Sequence, residues 1–116
     1  MAHTGYVPAA ESTDSLERHA MLFRALSDPR RLLILDILRA GEQCVCDLQT
    51  ALDCGQSLLS FHLKTLRDAG LVSMRKEGRW SHYQLVHSAF DHAERAAAAY
   101  RIPARQRRRL PVACCG

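Results

Sequence analysis

No stretch of this 116-residue sequence is apolar enough to cross a bilayer. Its longest uncharged apolar runs, Leu32-Leu33-Ile34-Leu35 and Ala96 to Tyr100, fall far short of the roughly 20 residues that a spanning helix needs. The start, Met1 to Ala10, has no basic segment followed by an apolar one, so no secretory signal is expected and the expected compartment is the cytosol. There is no internal repeat. The length leaves room for one modest core and not for two. No Cys-x-x-Cys lies near a βαβ pattern, and no spacing supports a nucleophile with its base. Both absences count against a small thiol enzyme built on Cys114-Cys115.

What is present is an ordinary apolar fraction of 47%, a charged fraction of 24% and a net charge of +4. That composition suits a folded soluble domain and permits a nucleic-acid partner. Five cysteines are many for such a chain: Cys44, Cys46, Cys54, Cys114 and Cys115. Their odd number and irregular spacing do not form a secreted disulfide framework. In a reducing compartment such thiols serve more often as metal ligands or redox groups than as bridges.

The pattern along the chain divides it into an arm over 1–13, a domain over 14–102 and a basic tail over 103–116. From Asp14 the apolar residues Leu16, Ala20, Met21, Phe23 and Leu26 recur at helical spacing, with Asp14 or Ser15 as cap. Asp28-Pro29 restarts a helix to Arg39, expected to be buried on most sides, and Gly41 follows its end. Cys44 or Val45 to Leu52 makes two turns. Asp53-Cys54-Gly55 then has the length and the glycine of a helix-turn-helix turn. Gln56 to Ala69 is a longer helix, with Leu59, Leu63 and Leu66 inward and Ser57, Ser60, Lys64 and Arg67 outward; Gly70 stops it. The period then falls to two over Leu71 to Lys76 and Ser81 to Val86, around Glu77-Gly78-Arg79-Trp80. This is a β-hairpin with a basic tip. Ser88 to Tyr100 is a last, alanine-rich helix.

This order is that of a winged helix-turn-helix, a mainly α fold with a small β-hairpin. The second helix of the turn offers Gln56, Ser57, Ser60, Phe61, His62 and Lys64 to base edges and phosphates of a major groove. Lys76 and Arg79 on the hairpin suit phosphate or an adjacent minor groove. Taken singly, each is equally well a solvated surface residue; the joint arrangement carries the reading. The arginines from Arg101 to Arg109 read as a solvated tail.

The chain resembles the ArsR/SmtB family of metal- and metalloid-responsive repressors. The resemblance rests on Ala25-Leu26-Ser27-Asp28-Pro29-Arg30-Arg31-Leu32, on Gln56 through Leu66, on Ala69-Gly70-Leu71-Val72, on Glu77-Gly78-Arg79 and on Tyr83-Gln84-Leu85, and runs from about Leu16 to Val86. It implies a homodimer joined by the first and last helices, double-stranded operator DNA with an imperfect inverted repeat as partner, and release by an inducer, with no cofactor needed for DNA binding. Cys44-Val45-Cys46-Asp47-Leu48 resembles the segment with which arsenite- and antimonite-responsive members bind the metalloid. The resemblance thus implies As(III) or Sb(III) as inducer, and thiolates suit such soft ions. A helix N-terminus is expected to lower the thiol pKa values.

Two features strain this reading. Residues i and i+2 do not face one another on a regular helix, so Cys44 and Cys46 share an ion only if the helix start is irregular or distorts. Members of this type often carry a third cysteine where this chain has Gln49; Cys54 or the Cys114–Cys115 pair is the candidate third ligand. The alternatives are cysteines that merely fill the core, a response to thiol oxidation, or another soft metal such as Cd, Pb or Zn. For zinc, His87, Asp91, His92 and Glu94 stand early in the last helix, but Ala96 to Tyr100 offers no late ligands. His3, His19, His62 and His82 read as plain surface or packing residues, with DNA contact the alternative for His62 because it lies on the recognition helix.

Overall fold

A computed structural model describes residues 13–103 and 105. Of the arm expected over 1–13 only Thr13 is described, and it begins the first helix; the rest of the arm, and the tail with Cys114 and Cys115, lie outside the described residues. Five helices and three short strands follow one another: α1 (Thr13–Ala25), α2 (Pro29–Leu38), β1 (Gln43–Cys44), α3 (Val45–Leu52), α4 (Gln56–Asp68), β2 (Val72–Glu77), β3 (Trp80–Leu85) and α5 (His87–Ala98). The helices surround a core in which Ile34, Leu48, Leu59, Leu66 and Leu71 are fully buried. The sheet is antiparallel with order β1-β3-β2, so the wing hairpin gains a third strand from the segment before α3.

Local chemistry explains the boundaries. Asp28 is the extended N-cap of α2, and its carboxylate accepts from the backbone N–H groups of Arg30 (2.8 Å) and Arg31 (3.2 Å). Pro29 follows at the first helical position, where no N–H is required. Burial pushes the Asp28 carboxyl up, but the two N–H donors outweigh it and hold the pKa below the usual aspartate value. At the other end of the helix-turn-helix, α4 closes in a Schellman arrangement: Gly70 N–H donates to Arg67 O at 2.9 Å and Leu71 N–H to Leu66 O at 3.0 Å. Gly70 takes φ +79° for that purpose.

Several expectations need revising. The turn between α3 and α4 was expected to rest on its glycine, yet Gly55 is the extended N-cap of α4 at φ −65°. The left-handed residue is Asp53, at φ 50°; a short polar side chain tolerates that region better than most. The hairpin loop is only Gly78-Arg79, because Glu77 and Trp80 are already paired; Gly78 at φ +63° fits the first position of a type II′ turn. Helix α2 is not buried on most sides, since Leu32 is 49% and Leu33 42% exposed. On α1, Leu16 and Met21 are likewise exposed.

Candidate nucleic-acid interface and thiol pair

Helix α4 has two faces. Leu59, His62, Leu63 and Leu66 point into the core, while Gln56, Ser57, Ser60, Phe61, Lys64 and Arg67 are exposed. Across from the exposed face stands the wing. A concavity of about 600 Å³ between them is lined by Gln56, Ser60, Lys64 and Arg67 of α4, by Arg79, Ser81 and Tyr83 of the hairpin, and by Val45 of α3. Lys76 pairs with Ser81 and so shares its side of the sheet. The guanidinium of Arg79 lies 5.7 Å from the Trp80 ring centroid, a cation–π contact that steadies the wing tip. Lys64 Nζ donates to Asp68 Oδ2 at 2.7 Å, an exposed pair that water and phosphate can exchange.

His62 does not belong to this surface. It is 3% exposed, and its Nδ1 faces Arg31 Nη1 at 3.0 Å. A buried ring cannot touch a base edge, so the expectation of a DNA-contacting His62 is withdrawn. The spacing carried the signal: His62 falls three residues after Leu59 and four before Leu66, on the inward stripe. Arg67 and Ser81 line the concavity, although neither stood among the expected contacts.

The thiol pair sits beside the concavity. Cys44 ends β1, where it pairs with His82 of β3. It is also the extended N-cap of α3, φ −72° and ψ 146°, and its sulfur accepts from Cys46 N–H at 3.4 Å. The two Sγ atoms lie 2.6 Å apart. The geometric objection therefore dissolves without distorting the helix: only Cys46 is helical, and the extended cap swings Cys44 back over the first turn. Cys46 is exposed and Cys44 half-buried, so neither is a core filler.

The electrostatics differ from expectation. The hydrogen bond with Cys44, followed by desolvation and by the charges of Cys44 and Asp47, pushes the Cys46 thiol up rather than down. The hydrogen bond with Cys44, the largest of these causes, outweighs the backbone N–H of Asp47, which alone favours the thiolate. Cys54 is half-buried against the core near the turn. Among the described residues no group of three His, Cys, Asp or Glu side chains could hold a metal, so Cys54 does not complete the pair within the chain, nor do the zinc candidates of α5 cluster. The segment before β1 is anchored separately: Arg75 Nε and Nη2 donate to the Glu42 carboxylate at 2.9 and 2.8 Å. That bidentate bond outweighs desolvation and keeps the Glu42 carboxyl below its ordinary value.

A recognition helix carried on a core, a basic hairpin beside it and a concavity between them define a winged helix-turn-helix protein of the DNA-binding class. Residues 28–74 match the family described as bacterial regulatory protein, arsR family. The chain is 44% identical over 78 residues to the arsenical resistance operon repressor of Staphylococcus xylosus, covering 67% of this chain and 75% of that one. It is 51% identical over 65 residues to the arsenical resistance operon repressor of Escherichia coli K12, covering 55% of this chain; there the chain spans little more than half the relative's length, 56%. The structure of an ArsR family transcriptional regulator, RHA00566, superposes with a TM-score of 0.73 at 26% identity, over 80% of this chain and 96% of that one. Relatives also include a cadmium resistance regulator homolog and an SmtB repressor homolog, and the structural neighbours a homodimeric winged helix-turn-helix domain from Mycobacterium bovis. The chain belongs to the ArsR family. Its relatives and its fold are those of transcription regulators, not of enzymes.

Proposed function

We propose that this chain is a homodimeric repressor that grips operator DNA through α4 and the wing, and lets go when As(III) or Sb(III) is captured by Cys44 and Cys46. The observation that carries the reading is the placement of the two sulfurs side by side at the start of α3, flanking Val45, which itself lines the DNA-facing concavity. Gln56, Ser57, Ser60 and Phe61 read bases; Lys64, Lys76 and Arg79 meet phosphate, joined by Arg67. The exposed apolar residues of α1 suit a face covered by a second copy, and a two-fold dimer reads an imperfect inverted repeat. Cys114, Cys115 or Cys54 of a second copy is the candidate third thiol.

The chemistry balances without an added reactant. Each thiol that bonds to arsenic displaces one hydroxide of the hydrated metalloid; the thiol proton leaves with that hydroxide as water. A raised Cys46 pKa is therefore no obstacle, because the incoming group brings its own base. Capture would engage Cys44, which is both the cap of α3 and the partner of His82 on the wing strand.

The test is operator release measured by fluorescence anisotropy during titration with arsenite, antimonite, cadmium and zinc. Trivalent arsenic or antimony should release the protein, and the double variant Cys44→Ser, Cys46→Ser should bind the operator normally yet ignore both. Full response of that variant would show that the sensor lies elsewhere. The cadmium reading is separated by pH. Capture of a bare divalent cation by two thiols frees their protons, so its affinity climbs with pH, whereas arsenite capture frees water and changes little between pH 6.5 and 8.

A further inference from the structure

Arg31, third residue of α2, is 7% exposed, and a buried cation is costly unless its donors are met. Three acceptors meet it, and none is a carboxylate. Nε donates to Ala25 O at 2.9 Å and Nη2 to Arg24 O at 3.0 Å. These carbonyls end α1, where the helix dipole is negative; Arg24 O also accepts from the Ser27 N–H and hydroxyl at 3.1 and 2.8 Å. Nη1 donates to His62 Nδ1 at 3.0 Å, in the middle of α4. One side chain thus ties the end of α1, the start of α2 and the recognition helix together.

The same geometry fixes the state of His62. A guanidinium only donates, so Nδ1 must be a bare acceptor, with the ring neutral and its proton on Nε2. That Nε2 is buried and makes no hydrogen bond among the described residues. The ring is therefore held from one side, by Arg31. On the opposite side of α4 lie Ser57, Ser60, Phe61 and Lys64, so any rotation or shift of the helix at His62 is delivered directly to the DNA-facing residues.

We propose that Arg31 is a positioning residue for operator binding: through His62 it locks the recognition helix to the C-terminal end of α1. Operator affinity is then sensitive to acid, because a proton on Nδ1 removes the acceptor and sets an imidazolium against the guanidinium. The charged groups facing His62 are Asp28, Arg30 and Arg31. Burial, with help from the two arginines and against Asp28, holds the His62 pKa below its ordinary 6.5. The lock is therefore whole at pH 7.5 and is lost only as pH falls through that lowered value.

The proposal rests on operator binding as its functional readout, and a second readout stands free of DNA. Arg31→Lys keeps the charge but cannot reach three acceptors in two directions. Its operator affinity at pH 7.5 should fall about tenfold or more, and amide exchange along α4 should accelerate in the DNA-free protein. His62→Asn supplies a side-chain carbonyl acceptor and cannot take up a proton. It should bind within about threefold of wild type at pH 7.5 and keep that affinity as pH falls through the lowered His62 value, where wild type weakens. Arg31→Lys with wild-type affinity and wild-type α4 exchange would overturn the proposal, as would superimposable pH profiles for wild type and His62→Asn. If wild type binds no operator fragment, the repressor reading fails while α4 exchange still decides the lock. A purely structural role would lower the stability of both variants together without separating their pH profiles.

Discussion

Replacing Arg79 by alanine tests the wing with a number that follows from the structure. The side chain lines the concavity beside α4 and is steadied by Trp80 rather than by a carboxylate, so its charge is available to phosphate. Each neutralised phosphate contributes about 0.9 to the slope of log K against log salt. The proposed homodimer carries two wings, so Arg79→Ala should reduce the slope by about 1.8. Between 50 and 200 mM salt, about 0.6 log units, the gap between wild type and variant should close by about tenfold. The assay is anisotropy titration of a labelled operator at four salt concentrations, repeated on a scrambled duplex. The variant should lose affinity on both duplexes alike, because a phosphate contact positions the protein and carries no sequence. An unchanged slope, or a loss confined to the operator, would show that Arg79 reads a base or touches no DNA at all.

Other outcomes follow from single residues. Phe61 is 58% exposed in the middle of the recognition helix and suits a thymine methyl; one thymine in each half-site should therefore bind less well when replaced by deoxyuridine, and Phe61→Ala should erase that difference. Leu48→Ala removes a fully buried side chain of α3 and should cost about 2–4 kcal/mol in urea unfolding. Asp28→Ala removes the cap of α2 and should lower Tm by about 5 °C. Since the folded Asp28 carboxyl lies below its ordinary value, its stabilising effect is present above about pH 4 and is lost as pH falls through the folded pKa; the variant's thermal stability should therefore be flatter than wild type's below pH 4.

The helix-turn-helix was legible because its leucines keep a strict helical spacing and because Asp28-Pro29 and Gly70 punctuate it unambiguously. The wing was legible from its alternation, displaced by one residue at the tip because Gly78 alone supplies the positive φ. Strand β1 was not: two residues show no period, and their extended shape is imposed by pairing with Tyr83 and His82. That omission made the Cys44–Cys46 pair look geometrically awkward. The thiols were still found, since a Cys-Val-Cys segment before a recognition helix is conspicuous whatever its backbone does. His62 was misplaced because a polar residue on a recognition helix invites an outward reading; the arginine that keeps it buried lies 31 positions earlier in the chain. The third thiol stayed open for a different reason, as Cys114 and Cys115 lie outside the described residues.

Strand β1 also has a bearing on reversibility. It is held to the sheet by two residues, while Glu42 just before it remains clamped by Arg75. A repressor must return to DNA once its inducer is gone. If inducer capture at Cys44 loosens β1, only two paired residues have to re-form, against a wing strand that is also paired with β2. The smallest element of the fold is thus well suited to being given up and recovered many times in the life of one molecule.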